Sequence, residues 1–271
     1  MKHTDTGIVV TTCNGDDTLL HYRTDGERGK PCLVLSNSLG TDLSMWDRQV
    51  ADLASDFYVV RYDTRGHGQS ASGGAPFGIE RLGLDVLALL DHLDIARAAF
   101  CGISMGGLTG QWLGIHQPQR LTHLVLANTA ARIGAADAWL ARAEQVRRDG
   151  MDGVADGAAA RWFTPAFIAR DAATVARMIA TLRGQDAEGY AACCAALAQA
   201  DLRAQVATIA VPTLLIAGEH DPVTTVDDAR WLQQQLAGAQ LAEVPASHLS
   251  NVEAAQAFTA RLSAFVSSPA G

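Results

Sequence analysis

The sequence predicts an α/β protein built on a doubly wound, mostly parallel β-sheet that carries a helical insertion. Three observations support this fold class. Short strand patterns alternate with helix patterns through residues 7–127, as in sheets whose parallel strands are joined by crossover helices. The alternation stops between residues 130 and 205, where the chain reads as helix. It then resumes near residue 209.

The first predicted element is a β-hairpin. Residues 7–13 and 18–22 are strand patterns joined through Asn14-Gly15, a strong signal for a tight turn. Later strand patterns are short and apolar, as buried strands are. They comprise residues 32–35, 58–62, 98–101, 121–127, 209–217 and 241–245. Helix patterns cover residues 45–53, 79–93 and 108–116, and the last of these stops before Pro118.

The helical insertion, residues 130–205, is rich in Ala and Arg, with helix breaks expected at Gly150, Gly153, Pro165 and Gly184. It divides a core formed by residues 1–129 and 206–271. Ligands of open α/β sheets bind at the carboxyl ends of the strands. A helical cap over that edge would exclude water and shape a pocket. The alternative is a helical scaffold with no part in ligand binding.

Residues Gly102-Ile103-Ser104-Met105-Gly106 read G-x-S-x-G between a strand pattern and a helix pattern. The two outer glycines remove Cβ atoms that would clash in a sharp turn. The helix that follows would point its N-terminal N–H groups at negative charge developing on the serine. A glycine-rich turn that holds a serine by chance is the alternative, but the flanking strand and helix favour a nucleophile.

An acid and a histidine follow later in the chain. Asp221 comes just after one strand pattern, and His248 comes just after the last one. A serine hydroxyl needs a base to take its proton, and a carboxylate fixes the tautomer of that imidazole. Asp221 is preferred to Glu219 because Pro222 would hold its loop. The neighbouring His220 is interpreted as a structural or surface residue.

The chain resembles the α/β-hydrolase fold along nearly its whole length, and that fold carries its triad in the order found here, Ser104, Asp221, His248. Within the fold, the sequence is similar to the 3-oxoadipate enol-lactonases, hydrolases of the β-ketoadipate pathway in aromatic-compound catabolism. The discriminating run is Ser36-Asn37-Ser38-Leu39-Gly40-Thr41. Further matching segments are residues 42–47, 61–68, 101–108, 218–224 and 246–251.

This resemblance implies hydrolysis of 3-oxoadipate enol-lactone, a small anionic lactone, through an acyl-enzyme on Ser104. The backbone N–H groups of Leu39 and Met105 would form the oxyanion hole. Many members of the fold carry His-Gly where this chain has Asn37-Ser38, a change that leaves a backbone donor in place. No cofactor and no metal are implied.

Several residues are candidates for binding the substrate carboxylate. Arg132 follows the strand pattern of residues 121–127, and Trp139, Arg161 and Trp162 lie in the insertion. Arginine suits bidentate carboxylate binding, and an indole N–H donates one hydrogen bond. For each of them, surface exposure or packing within the insertion is the alternative.

Composition narrows the class of partner. A formal net charge of −8 argues against nucleic acid and against an anionic membrane surface. An anionic substrate therefore needs a local cationic pocket. We find no leader or membrane-spanning pattern, and the odd number of cysteines, two of them in strand patterns, predicts reduced thiols in the cytoplasm. A monomer and a homodimer are both compatible with the sequence.

One motif is typical of a different function, dinucleotide binding. Residues 66–71 match the dinucleotide fingerprint G-x-G-x-x-A, and Asp85 lies near the offset of a ribose-binding acid. Charged Asp63-Thr64-Arg65 separates this motif from the strand, however, and no helix pattern follows it, so we interpret it as a structural turn.

Other functions use the same fold. A carboxylesterase, a C–C bond hydrolase and a perhydrolase share the triad and differ in substrate. A small-molecule receptor would bind without turnover. A haloalkane dehalogenase is excluded, because it needs an aspartate at position 104.

Overall fold

The computed structural model describes residues 4–13 and 16–269, and an eight-stranded β-sheet forms its centre. The strands are β1 (Thr4–Cys13), β2 (Asp16–Asp25), β3 (Cys32–Ser36), β4 (Tyr58–Tyr62), β5 (Ala98–Ile103), β6 (Leu121–Ala127), β7 (Thr213–Gly218) and β8 (Gln240–Val244). Their order is β1-β2-β4-β3-β5-β6-β7-β8. The β1–β2 and β2–β4 pairs are antiparallel, and the pairs from β4–β3 to β7–β8 are parallel. The predicted mostly parallel sheet is confirmed.

Helices connect and flank the strands. In the described residues they are α1 (Asp47–Leu53), α2 (Ile79–His92), α3 (Met105–His116), α4 (Ala136–Asp149), α5 (Asp152–Asp156), α6 (Ala158–Trp162), α7 (Pro165–Arg170), α8 (Ala172–Arg183), α9 (Ala187–Gln199), α10 (Val226–Gln235), α11 (Ser250–Glu253) and α12 (Ala255–Val266). The helices α1, α2 and α3 are the crossovers that parallel strands require. Every residue of β4, β5 and β7 is buried, so the centre of the sheet is covered on both faces. No described helix is both long and apolar enough to span a bilayer.

Several predicted boundaries are wrong for local reasons. The strand predicted from residue 209 begins only at Thr213, because Pro212 has no N–H to give to a ladder. The helix predicted from residue 108 begins at Met105, directly after the serine. Gly153 lies inside α5 instead of breaking a helix, and Gly157 separates α5 from α6. The predicted Asn14-Gly15 turn lies outside the described residues, although β1 and β2 pair as expected.

Between β6 and β7 the chain forms α4 to α9, which we call the helical segment. It makes a close contact with the core at Gly189 in α9. A Cβ atom added to Gly66, in the loop after β4, would lie 2.6 Å from the Cα of Gly189. The backbones of the helical segment and of the core loop therefore touch, and a side chain on either glycine would separate them.

The loop after β4 has a structural role. Arg65 donates to both carboxylate oxygens of Asp85 in α2, at 2.9 and 2.8 Å, and both side chains are buried. Arg81 lies 3.1 Å from the same carboxylate. Asp85 is thereby paired with arginines inside the core, as expected if residues 66–71 form a structural turn and not a dinucleotide site.

The turn between β5 and α3 is tightly enclosed. Ser104 has φ 57° and ψ −113°, in a region that non-glycine residues seldom occupy. A Cβ atom added to Gly106 would lie 2.5 Å from the carbonyl oxygen of Ser36 and 2.9 Å from that of Asn37. One added to Gly102 would lie 2.1 Å from the carbonyl oxygen of Gly106. Both glycines are needed because other backbone occupies the space of their side chains.

We expect Asp85→Ala to lower the free energy of unfolding by about 3–5 kcal/mol, because it leaves the buried charge of Arg65 without its carboxylate. Urea unfolding followed by circular dichroism measures this change. The control is Asp91→Ala in the same helix, whose carboxylate is 66% exposed in its pair with Arg120. Its expected effect is about 0–1 kcal/mol. Equal effects of the two substitutions would contradict the prediction.

We expect Gly106→Ala to destabilise the protein by about 1–3 kcal/mol, because the new methyl group meets the backbone after β3. Gly74→Ala is the matched control, since a Cβ atom there meets nothing within 4 Å. Its effect should stay within about 0.5 kcal/mol. Thermal unfolding of both variants measures these changes in stability. A Gly106→Ala variant as stable as the wild type would show that the turn is not tightly enclosed.

Candidate active site

Three polar residues come from the carboxyl ends of parallel strands. Ser104 follows β5, Asp221 lies in the loop after β7, and His248 lies in the loop after β8. All three are buried, and Nδ1 of His248 lies 2.8 Å from Oδ2 of Asp221. Ser104 and His248 line one cavity. The structure thus brings together the three residues identified in the sequence, while Glu219 and His220 are exposed.

The Asp221 carboxylate accepts hydrogen bonds on both oxygens. Oδ1 accepts from the backbone N–H groups of Val223 (2.7 Å) and Thr224 (3.1 Å). Oδ2 accepts from the Thr224 hydroxyl (2.8 Å) and from Nδ2 of Asn128 (2.9 Å), besides its contact with His248. Burial alone would raise the pKa of Asp221, but His248 and these donors outweigh burial and place that pKa below its ordinary value.

This hydrogen bonding decides the tautomer of the imidazole. An ionised carboxylate can only accept, so Nδ1 of His248 carries the proton that faces Asp221. Nε2 is then the ring nitrogen able to take a proton from a donor in the cavity. The pair can therefore supply a general base beside Ser104.

Two backbone donors lie near the serine. No described residue accepts a hydrogen bond from the N–H of Leu39 or of Met105. Leu39 lines the cavity, and Met105 is the first residue of α3. The N–H of Gly106 donates to the carbonyl oxygen of Asn37 at 3.1 Å and so joins the turn to the loop after β3. Both N–H groups are available to an oxyanion on the ligand.

The side chain of Asn37 has a role that the sequence did not reveal. Its Nδ2 donates to the carbonyl oxygen of Tyr62 at 2.8 Å, and its Oδ1 accepts from the indole of Trp46 at 2.9 Å. Asn37 thereby fixes the loop that carries Leu39.

The cavity has a volume of about 260 Å³. One part of its wall comes from the core, and the other comes from the helical segment and the loop that leads into it. The core contributes Ser38, Leu39, Ser104, Pro222, Val223 and His248. The other part consists of Ile133, Gly134, Ala135, Ala138, Trp139, Arg142, Val154, Arg161, Trp162, Leu182 and Tyr190. The described residues contain no cluster of His, Cys, Asp or Glu suited to hold a metal ion.

The structure separates the candidates for carboxylate binding. Trp139, Arg161 and Trp162 line the cavity, but the indole N–H of Trp139 already donates to the carbonyl oxygen of Ile133 at 2.6 Å. Arg132 lies elsewhere, exposed, with Nη1 3.8 Å from Oδ2 of Asp201. A backbone hydrogen bond of 2.8 Å joins the neighbouring residues, Leu202 N to Ala131 O, and this pairing places Arg132 beside Asp201.

A second arginine of the cavity was missed in the sequence. Arg142 lies one helical turn after Trp139 on α4, with its guanidinium carbon 5.0 Å from the centre of the Trp139 ring. The spacing of three residues is the signal that could have revealed it. Neither Arg142 nor Arg161 forms an ion pair with a described carboxylate, although Arg161 donates to the carbonyl oxygen of Val154.

The two arginines influence each other. Burial lowers the pKa of Arg161, and the positive charge of Arg142 lowers it further, while Tyr190 acts in the opposite direction. Like charges that face one cavity repel, so an anion between them would be stabilised by both. The cavity therefore suits a small ligand with one anionic group.

The loop that carries His248 is bonded to the helical segment. The N–H of Leu249 donates to the carbonyl oxygen of Trp162 at 3.1 Å. Buried Glu253 accepts from the N–H of Ser247 at 2.9 Å and also from the hydroxyl of Thr164. The position of the imidazole thus depends on the helical segment as well as on the core.

Comparison with known proteins gives the family. Residues 31–255 match the family described as the α/β hydrolase fold. The chain is 52% identical to the 3-oxoadipate enol-lactonase 2 of Acinetobacter baylyi, over 91% of this chain and 92% of that protein. It is 45% identical to enol-lactonase 1 of the same organism, over 96% and 97%.

A solved structure shows the same fold. The crystal structure of the enol-lactonase from Burkholderia xenovorans LB400 superposes with a TM-score of 0.91 at 49% identity, covering 93% of this chain and 97% of that one. Fold and sequence similarity both extend over nearly the whole chain. The chain belongs to the α/β-hydrolase family and, within it, to the group of the 3-oxoadipate enol-lactonases.

Proposed function

We propose that the protein hydrolyses 3-oxoadipate enol-lactone to 3-oxoadipate through an acyl-enzyme on Ser104. One observation carries the proposal: Ser104 and the Asp221–His248 pair open into a cavity whose wall bears two arginines without carboxylate partners. The names of the two Acinetobacter relatives support the choice of substrate. A carboxylesterase, a C–C bond hydrolase or a perhydrolase would use the same triad on another substrate, and no observation favours a receptor without turnover.

In the first half of the reaction, Ser104 Oγ attacks the lactone carbonyl while Nε2 of His248 takes the hydroxyl proton. Asp221 stabilises the imidazolium that results. The carbonyl oxygen becomes an oxyanion, which accepts hydrogen bonds from the N–H groups of Leu39 and Met105. Collapse breaks the ring C–O bond, and His248 returns the proton to the enol oxygen. The enol stays tethered to the acyl-enzyme, and its tautomerisation to the ketone disfavours ring closure.

In the second half, a water molecule attacks the acyl carbon and gives its proton to Nε2 of His248. The same two N–H groups hold the new oxyanion. Collapse breaks the ester bond to Ser104 Oγ, which takes the proton back from His248, and 3-oxoadipate leaves. Each half of the reaction begins and ends with neutral His248.

The substrate carboxylate is bound by Arg142 and Arg161 in this proposal. Both line the cavity, and an anion between them offsets their repulsion. Trp162 and Trp139 supply apolar wall for the ring, since the Trp139 N–H is already engaged with Ile133. Arg132, considered from the sequence, is replaced in this role by Arg142.

We further propose that residues 130–205 act as a cap over the core of residues 1–129 and 206–271, because α4 and α6 supply both arginines. The reaction needs no cofactor, metal, nucleic acid or membrane, and a homodimer is compatible with it. A cytoplasmic location is supported by the free cysteines among the side chains that the structure describes, Cys32, Cys101, Cys193 and Cys194. Burial raises the pKa of the Cys32 thiol to about 12, as expected of an unreactive thiol.

The test is turnover of freshly generated 3-oxoadipate enol-lactone, followed by its ultraviolet absorbance, beside p-nitrophenyl acetate. We expect a kcat/KM for the lactone far above that for the ester. Ser104→Ala should lower kcat by about 10⁴-fold or more, because the nucleophile is lost. It should leave the circular dichroism spectrum unchanged.

Ester hydrolysis without lactone turnover would retain the triad but rule out the substrate. A burst of one product equivalent without further turnover would indicate a receptor. Full activity of Ser104→Ala would overturn the mechanism itself.

We expect Arg142→Ala to lower kcat/KM for the lactone by about 10- to 100-fold, chiefly through KM, because a charged hydrogen bond to the carboxylate is lost. Hydrolysis of neutral p-nitrophenyl acetate should change little. Arg132→Ala is the matched control, since Arg132 is exposed away from the cavity. Equal losses for the lactone and the neutral ester would contradict carboxylate binding by Arg142.

A further inference from the structure

Two adjacent residues at the end of β6 contact Asp221, Ser104 and the residue that precedes His248. Nδ2 of Asn128 donates to Oδ2 of Asp221 at 2.9 Å and to the carbonyl oxygen of Ser247, the residue before His248, at 3.2 Å. The hydroxyl of Thr129 donates to the carbonyl oxygen of Ser104 at 2.8 Å. One amide therefore spans the acid and base loops, and the next side chain holds the nucleophile.

The backbone supports this placement. Asn128 is buried and has φ 42°, and asparagine is among the few non-glycine residues that accept a positive φ. Its N–H donates to the carbonyl oxygen of Ile216 in β7 at 2.8 Å. The Asn128 Oδ1 accepts from the hydroxyl of Ser250 at 2.5 Å. An ionised carboxylate and a backbone carbonyl oxygen can only accept, so the NH₂ group is the end of the amide that faces Asp221 and Ser247.

We propose that Asn128 and Thr129 are positioning residues of the reaction: together they set the separation and orientation of Ser104, Asp221 and His248. This inference rests on the proposed triad. Neither residue lines the cavity, so neither touches the substrate. Asn128 acts through the carboxylate, and Thr129 acts through the backbone of the serine.

The effect of Asn128 on the imidazole can be measured, because Asn128 and His248 contact the same carboxylate oxygen. Oδ2 of Asp221 accepts from both Asn128 and His248. The amide donor helps to keep this carboxylate ionised, and it adds no charge of its own beside the imidazole. Glu253 lies nearby, and its carboxylate accepts from the backbone N–H of Ser247. Exposed Glu219 and His220 precede Asp221 in the same loop, and Arg142 and Arg161 line the cavity that His248 faces. No Lys or Arg pairs with Asp221 among the described residues.

Asn128→Asp tests the role, because it keeps the shape and replaces the donor with a carboxylate oxygen. Two carboxylates that face each other beside one imidazole stabilise its protonated form and raise the pKa values of the coupled group. We expect the acid limb of the kcat/KM profile to move up by about one pH unit or more. At neutral pH, kcat should fall by about 10- to 100-fold while KM changes little.

The matched control is Asn251→Asp. Asn251 is also buried, but its amide donates to the carbonyl oxygen of Met45 at 2.9 Å and does not contact the triad. It should lower stability without moving the pH profile. If Asn128→Asp does not fold, Asn128→Gly takes its place. Glycine accepts the positive φ and removes the amide without adding a charge. A fall in its kcat at unchanged KM is the expected result.

The role of Thr129 is tested with a second pair of variants. Thr129→Val keeps the shape and loses the hydrogen bond to Ser104, whereas Thr129→Ser keeps the hydroxyl. We expect Thr129→Val to lower kcat about 10-fold and Thr129→Ser to restore most of it. Wild-type pH profiles and kcat values in Asn128→Asp and Thr129→Val, with only stability reduced, would overturn the proposal. Because Ser104→Ala is assayed separately, this result would leave the triad itself intact.

Discussion

The backbone of Ser104 has a conformation that costs a non-glycine residue about 1–3 kcal/mol. Hydrogen bonds from the surrounding structure hold it in that conformation. Its N–H donates to the carbonyl oxygen of Ala127, and its carbonyl oxygen accepts from the N–H of Leu108. The close approach of Gly106 to the loop after β3 then brings Leu39 to the serine. The two glycines of the turn and the approach of the loop that carries Leu39 both depend on this one turn.

A second constraint is the buried charge of Asp221. Its ion-pair partner among the described residues is His248, and neutral donors from two segments of chain, at Asn128 and at Val223-Thr224, satisfy the remaining hydrogen bonds. The carboxylate can thus stay ionised without a fixed cation that would compete for it. In contrast, the cavity wall carries positive charge without anions, at Arg142 and Arg161. The carboxylate of Asp221 is thus satisfied within the protein, whereas the two cavity arginines have no carboxylate partner among the described residues.

The sequence predicted well what depends on local chemistry. Strands β4 and β6 match their predicted bounds, because short apolar runs bounded by turn signals favour buried strands. Ser104, Asp221 and His248 were identified because each follows a strand. Arg142 and Asn128 were missed because their roles arise from packing between distant segments. Arg132 was placed wrongly for the same reason: Asp201, its partner, lies at the far end of the helical segment.

The bonds between the helical segment and the histidine loop have a consequence for motion. Trp162 O accepts from Leu249 N, and Glu253 joins Thr164 to Ser247, so an outward movement of α6 would strain or break hydrogen bonds to the loop that carries the imidazole. The width of the cavity at α6 and the orientation of the imidazole are therefore coupled, and a substitution that weakens this junction would act on both at once.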